Sequence, residues 1–401
     1  MNPDDLLLVK EKQEQLDRLL PSMEADCWLV YCREGSDPST VLYVGYPMVG
    51  ESAFFFTKDG RKVAIVANYD EAAIRETGVF SEVRAYALEG IEPALREVYE
   101  ELAPKRLALN FAPDDFLVDG LTYGLFRRLR EIIGDSGLEA RVVSSQSILG
   151  PLRAIKSPEE LRRIEKAIEI THRIFDEIAE YARPGMTEIE VGNYVHDRQV
   201  HYGTGAAFGE SAIVAAGHMG VGHRYPGPYE LRQGDVMIVD MGVVHASYSS
   251  DFTRTFYFLR DTESEPPESF RTRFEIVREA THRAIRAMRP GVLGWEIDKI
   301  ARDHFINCGV PEYGNALGHQ IGRRAHDGGG LLSPLVPRYG NKGLIPLEVG
   351  NVYTVEPFLY SRTVDGCSPP IGLEENVVIE SDGARLLTTP QMELICIGSK
   401  V

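Results

Sequence analysis

The chain has 401 residues, 43% hydrophobic and 26% charged, with a formal charge of −17 and a pI near 5.1. This is a globular composition, long enough for two or three domains, and its acidity argues against nucleic acid or an anionic membrane surface as a partner. No stretch approaches the roughly 18 apolar residues of a membrane span. The opening MNPDDLLLVKEKQEQ lacks a signal peptide's basic region. The five cysteines (Cys27, Cys32, Cys308, Cys367 and Cys396) form no CxxC pair, so a reduced, cytoplasmic chain is expected.

In chain order, the first 150 residues read as a mixed α/β domain. A helix over roughly 6–20 precedes the apolar strand CWLVYC (27–32). SAFFFTKDGRKVAIVA reads as two strands around the Lys58-Asp59-Gly60 turn. Helices are predicted near 70–77 and 91–102, a buried strand over 105–110, and a helix over 114–133. The boundary falls at Ile155-Lys156-Ser157-Pro158-Glu159-Glu160, where Ser157 suits an N-cap, Pro158 the first helical position and Glu160 a capping box. The domains are therefore placed at 1–155 and 156–401.

The second domain repeats a phrase. Arg183-Pro184-Gly185-Met186 ends one long helix and leads into another, and Arg289-Pro290-Gly291-Val292 does the same about a hundred residues later. Pro-Gly is a common helix stop, but the matching context on both sides points to a duplicated half-domain. Strands are expected at 211–216, 235–244 and 252–258 in the first half, and at 351–356, 373–380 and 393–397 in the second.

Four segments carry chemistry. In VMIVDMGVVHASYSSDFTRTF, Asp240 lies within an apolar strand and Asp251 opens the next. An Asp there is costly unless paired or metal-bound. In GNALGHQIGRRAHDGGG, His319 and His326 lie among glycines, which allow close approach of backbone and ligand. NVYTVEPFLY ends an apolar strand at Glu356, and LEENVVIESDG opens one at Glu374 and Glu375. Each acid alone reads as an ordinary strand-edge residue. Together, four carboxylates and one imidazole suit two divalent ions, Mn²⁺ first, with Co²⁺, Zn²⁺ or Fe²⁺ as alternatives. Two such ions can share a water and lower its pKa, which is hydrolytic chemistry.

The order D…D…H…E…E, with DMGVVHASYSSDFTRT, GHQIGRRAH, TVEPFLY and LEENVVIESDG, resembles the pita-bread metallopeptidases, nearest the Xaa-Pro peptidase branch: prolidase (Xaa-Pro dipeptidase) and aminopeptidase P. The resemblance spans nearly the whole chain. It implies an α/β (α+β) architecture: a creatinase-type N-terminal α/β domain and a pita-bread catalytic domain with a curved, mostly antiparallel sheet. It also implies that Asp240 chelates one metal, Asp251 and Glu374 bridge both, and His319 and Glu356 complete the other, with Glu356 taking the proton of the attacking water. His223 in GVGHRYPG and His326 match the family's two substrate-side histidines, with His218 close to His223. A small peptide substrate with proline after the scissile bond and a homodimer are implied. A dipeptide is favoured because no N-terminal extension is visible.

The chain departs from the pattern in places. Gly372 stands where the family often has arginine, Gln320 follows the metal histidine, Asp327 replaces glutamate, and Gly328-Gly329-Gly330 replaces a proline-bearing turn. Glu374 rather than Glu375 as the last ligand rests on an ungapped alignment. Capture of a dipeptide carboxylate near the metals favours an arginine, for which Arg323, Arg324, Arg338 and Arg362 are candidates. Two further readings stay open: a non-peptide C–N amidohydrolase of the same fold, ectoine-hydrolase-like or creatinase-like, and a non-catalytic pita-bread binding module.

Overall fold

The computed structural model describes residues 2–134, 137–217, 224–360, 362–363, 366–367 and 370–398, with the backbone alone for 362–363 and 366–367. The chain divides into two compact units, Met1–Arg153 with Ser157–Glu159, and Ala154–Lys156 with Glu160–Val401.

The first unit is built on a six-stranded mixed sheet in the order Glu82–Tyr86, Lys62–Ala67, Ser52–Thr57, Cys27–Cys32, Leu107–Leu109, Val142–Ser144. Cys27–Cys32 pairs antiparallel with Ser52–Thr57 and parallel with Leu107–Leu109. All six residues of each of the three strands from Cys27, Ser52 and Lys62 are buried. That explains their continuous apolar runs, since both faces of the sheet are covered. Trp28, Val30, Phe54 and Phe56 pack into one core, and Leu29, Tyr31, Ala53 and Phe55 into the opposite one.

The predicted helix over 114–133 is shorter, spanning Tyr123–Ile133. Asp115 accounts for the difference. Its carboxylate accepts the Leu117 N–H (3.0 Å), and its carbonyl accepts the N–H of Val118 (3.0 Å) and Asp119 (3.1 Å). These local bonds compete with the helical ladder, and the helix starts only where Thr122 caps Leu125 N–H.

In the second unit the duplication is structural. The helix Pro158–Tyr181 is followed by Glu188–His201, and Glu268–Ala287 by Gly294–Asn307. The turns between them match bond for bond. Gly185 (φ 94°) donates to Leu231 O at 2.9 Å, and Gly291 (φ 88°) to Leu347 O at 2.8 Å. Only glycine adopts such a φ without strain. Leu231 N–H bonds back to Met186 O and Leu347 N–H to Val292 O, at 2.7 and 2.9 Å. Glu190 and Glu296 each reach back to the N–H three residues earlier, on Thr187 (2.7 Å) and Leu293 (2.9 Å).

After each returning leucine comes a strand. Val236–Met241 lies between Ile213–Ala216 and Phe252–Phe258, both antiparallel to it, with Ile395–Ile397 parallel at the far edge. Val352–Val355 pairs antiparallel with Glu375–Glu380, which pairs antiparallel with Gly383–Leu386. Counting from Leu231 and Leu347, Asp240 and Glu356 occupy equivalent places at the ends of the two strands.

Candidate metal centre

Asp240 is set by its register, opposite Thr253 on one side and Ile213 on the other. Asp251 immediately precedes the Phe252–Phe258 strand, and Asn376 bonds to its main chain. His319 lies on a two-residue strand paired with Leu331, and its N–H donates to Thr354 Oγ1 at 3.1 Å. The backbone comes close here: a Cβ on Gly318 would lie 2.0 Å from Thr354 O, so residue 318 has to be glycine. Glu356 N–H donates to Leu317 O at 2.7 Å, and Thr354 Oγ1 donates to its carboxylate at 3.2 Å.

These elements converge on one cavity of about 280 Å³, lined by Asp240, Asp251, His319, His326, Glu356 and Glu374 together with Phe208, Asn315, Ala316, Leu331, Arg338 and Tyr339. Ligand atoms of Asp251, His319 and Glu374 lie within 4.8 Å of one another. His319 Nε2 is 3.6 Å from Asp251 Oδ2 and 3.3 Å from Glu356 Oε1. The His326 ring centroid lies 4.3 Å from that of His319.

Period-two alternation separates the two candidate glutamates. Glu374 faces the cavity and accepts from Thr253 Oγ1 at 2.9 Å. Glu375 points the other way, into a buried ion pair with Arg254 (3.0 Å) and bonds from Thr388 Oγ1 and the Gln391 N–H. Arg254 also donates to Glu374 O at 2.8 Å, bracing the cavity from behind.

The electrostatics are those of too many acids in too little water. Burial raises the Asp240 carboxyl to about 7, reinforced by the Glu356 charge. Burial also pushes Asp251 and Glu374 well above the carboxylate range, with Asp240 adding to the first and Asp251 to the second. For His319, burial alone would lower the pKa. The hydrogen bond that the ring donates to Glu356 and the charges of Glu356 and Asp251 outweigh it and raise the ring to about 9. Asp240 Oδ1 is buried and has no hydrogen-bond partner among the described residues. Such an acceptor costs roughly 1–3 kcal/mol, more when charged, and a cation is the group that would satisfy it. This donor set fits divalent metal.

Other expectations fall elsewhere. His223 and its neighbour His218 lie outside the described residues, as does the Arg362 side chain. The Arg323 guanidinium sits over the Tyr248 ring at 5.6 Å, and among the described candidate arginines Arg338 lines the cavity. Gln320 is buried, its Nε2 donating to Tyr353 OH at 2.9 Å. Asp327 faces Lys156 across 3.4 Å, both buried. A Cβ on Gly372 would lie 2.3 Å from the Phe358 ring, so a side chain there would require that ring to shift. Phe208 and Tyr339 had no motif to announce them, and Asn315 lies within GNALGHQIGRRAHDGGG without being singled out there.

The sequence profile of metallopeptidase family M24 matches residues 162–381, more than half of the chain. The chain belongs to metallopeptidase family M24. It is 32% identical over 238 residues to an uncharacterized peptidase of Staphylococcus aureus (strain MW2), covering 59% of this chain and 63% of that one. Among solved structures, an X-Pro aminopeptidase from Thermotoga maritima MSB8 superposes with a TM-score of 0.74 at 26% identity, covering 96% of this chain and 99% of that one. A Xaa-Pro dipeptidase from Bacillus anthracis gives 0.78 at 24%, covering 97% and 100%, a likeness of fold. The M24 chain therefore has the pita-bread fold of these neighbours, with mixed sheets that are antiparallel in large part. Among the described residues, no helix is long and apolar enough to cross a membrane.

Proposed function

We propose that the protein hydrolyses the peptide bond preceding proline, using two divalent metal ions held by Asp240, Asp251, His319, Glu356 and Glu374. The observation that carries this is the convergence of four carboxylates and an imidazole on one cavity, with a buried oxygen on Asp240 that has no partner among the described residues. Four ligand charges balance two divalent ions, and the oxygen-rich donor set suits Mn²⁺ first. Bound there, the ions supply Lewis acidity and a water of lowered pKa.

The protein's own groups do the rest. Glu356 has the most exposed side chain of the Asp251, His319 and Glu356 cluster, at 29%, and is oriented by Thr354, which suits a base that takes the water's proton. His326 donates to the substrate oxygen as charge develops, and His223 is assigned the partner role on the substrate side. The names of the neighbouring structures support Xaa-Pro bonds as the target. The N-terminal unit is read as a creatinase-type domain. A cyclic amide substrate is the second reading, favoured by the Phe358 ring closing the space beside Gly372.

The test is hydrolysis of Ala-Pro, Leu-Pro, Xaa-Pro-Xaa tripeptides, non-proline controls and small cyclic amides by metal-stripped protein with Mn²⁺ restored. Asp251→Ala is the blank. Metal-dependent cleavage confined to Xaa-Pro bonds supports the proposal. Binding of two metals without any peptide cleavage refutes it, and turnover of a cyclic amide would then establish the second reading.

A further inference from the structure

The cavity lining divides into an acidic set and a second set that the metal proposal leaves unused: Phe208, Asn315, Ala316, Leu331, Arg338 and Tyr339. Arg338 is the permanent cation among the described lining residues. It sits on the one-turn 3₁₀ segment Pro337–Tyr339. Its guanidinium lies over the Tyr339 ring at 5.4 Å. Although four carboxylates line the same cavity, none of the described acids pairs with it.

The surroundings of Arg338 are braced. Tyr339 OH accepts the Ala316 N–H at 2.9 Å. The Tyr313 and Asn315 carbonyls accept from the Arg302 guanidinium at 2.7 and 2.5 Å. Arg302 is itself held by buried Asp298 through two bonds, at 2.6 and 3.2 Å. The segment 313–316, which shares the cavity lining with Arg338, is therefore fixed before any ligand arrives, which lowers the cost of binding.

We infer that Arg338 captures the free carboxylate of the substrate, so that the preferred substrates are dipeptides. A planar, permanently charged fork matches a carboxylate bidentately. At about 280 Å³ the cavity lies just below the roughly 300–1,000 Å³ of sites for drug-sized ligands. A dipeptide is a molecule of that scale, and its carboxylate lies one residue beyond the scissile bond. The dipeptide assignment rests on the peptidase reading above; the anion anchor itself does not.

The experiment therefore has two arms. Calorimetry on the Mn²⁺-loaded protein compares N-acetylproline with N-acetylprolinamide for wild type, Arg338→Gln and Arg338→Lys. Wild type is expected to favour the acid by roughly 10–100-fold, Arg338→Gln to lose that preference, and Arg338→Lys to regain part of it. An acid preference that is absent in wild type, or unchanged in Arg338→Gln, overturns the inference. The second arm measures Ala-Pro hydrolysis, where Arg338→Gln should raise KM more than it lowers kcat. An Arg338-dependent acid preference without Ala-Pro cleavage would refute the peptidase reading and leave the anchor standing.

Discussion

The two halves of the M24 unit carry the same turn, the same returning leucine and an acid at the same place, yet they contribute differently to the site. The first half supplies Asp240 and Asp251 from a strand and its neighbour in a sheet sealed on both sides. The second half is ten residues longer between its glycine turn and its leucine, Gly291 to Leu347 against Gly185 to Leu231. That longer segment carries His319, His326 and Arg338. Duplication thus accounts for paired carboxylates at the strand ends, and the longer connection of one copy carries the proposed nitrogen ligand with His326 and Arg338.

Breaking the buried half should have the largest effect. Asp251→Ala is expected to abolish metal binding and lower turnover by about three orders of magnitude or more, measured by metal analysis and Ala-Pro hydrolysis. In the metal-free protein the sign reverses. Asp240→Asn should stabilise the fold by about 1–3 kcal/mol above pH 7, because it removes a carboxyl that burial has raised to about 7. Glu356→Gln, at a partly exposed position, should give much less. Urea denaturation with and without Mn²⁺ separates these outcomes.

The Arg254–Glu375 pair comes next. Arg254→Met leaves Glu375 buried without its cation and should cost about 3–5 kcal/mol. Arg254→Met with Glu375→Gln should recover part of that loss.

The halves also exchange support. Thr253 of the first holds Glu374 of the second, while Thr354 holds both His319 and Glu356. Thr253→Val and Thr354→Val should each weaken metal binding by about 10–100-fold, as loss of an orienting partner does, read by titration against a competing chelator.

The pH response follows from the raised groups. Asp240 stabilises the metal-free fold fully below pH 3.8, and this contribution is lost as pH rises through 7. For His319 it is present below 6.5 and lost through 9. The melting temperature of the metal-free protein should therefore fall from about pH 5 to about pH 8.5, while metal affinity rises over the same range as ligand protons leave. A flat profile would mean that the cage is more hydrated than its burial indicates.

The smallest effect tests the equivalence of the halves. Gly185→Ala and Gly291→Ala meet no atom within 4 Å, so only the positive φ resists them. Each should cost about 1 kcal/mol, and a large inequality would break the correspondence.

Much of this was legible in the residues. An acid inside an apolar strand is an expensive placement, and Asp240 could be singled out on that ground, whereas Glu356 and Glu374 gained meaning only together with it. The repeated Arg-Pro-Gly could be read because a φ near 90° demands glycine. The choice between Glu374 and Glu375 was not legible from pattern alone, since both open an apolar strand and only sheet pairing decides which faces the cavity. The helix start at Tyr123 was obscured by Asp115, whose local bonds no helical periodicity reveals. Arg338 was one of four arginines until the 3₁₀ turn put it beside the acids, and Phe208 and Asn315 reach the cavity through loops with no periodic signature.

The contact between Gly372 and Phe358 constrains how this cavity could have arisen or could be redesigned. An arginine at 372 requires the half-buried Phe358 ring to swing aside, because that ring occupies the place of the new side chain's first carbon. Shrinking Phe358 first leaves an unfilled space beside the strand and a less stable intermediate. The two arrangements, a cation at 372 or a phenyl ring over a bare glycine, thus compete for one space. A chain committed to the second has reason to place its positive charge on another loop.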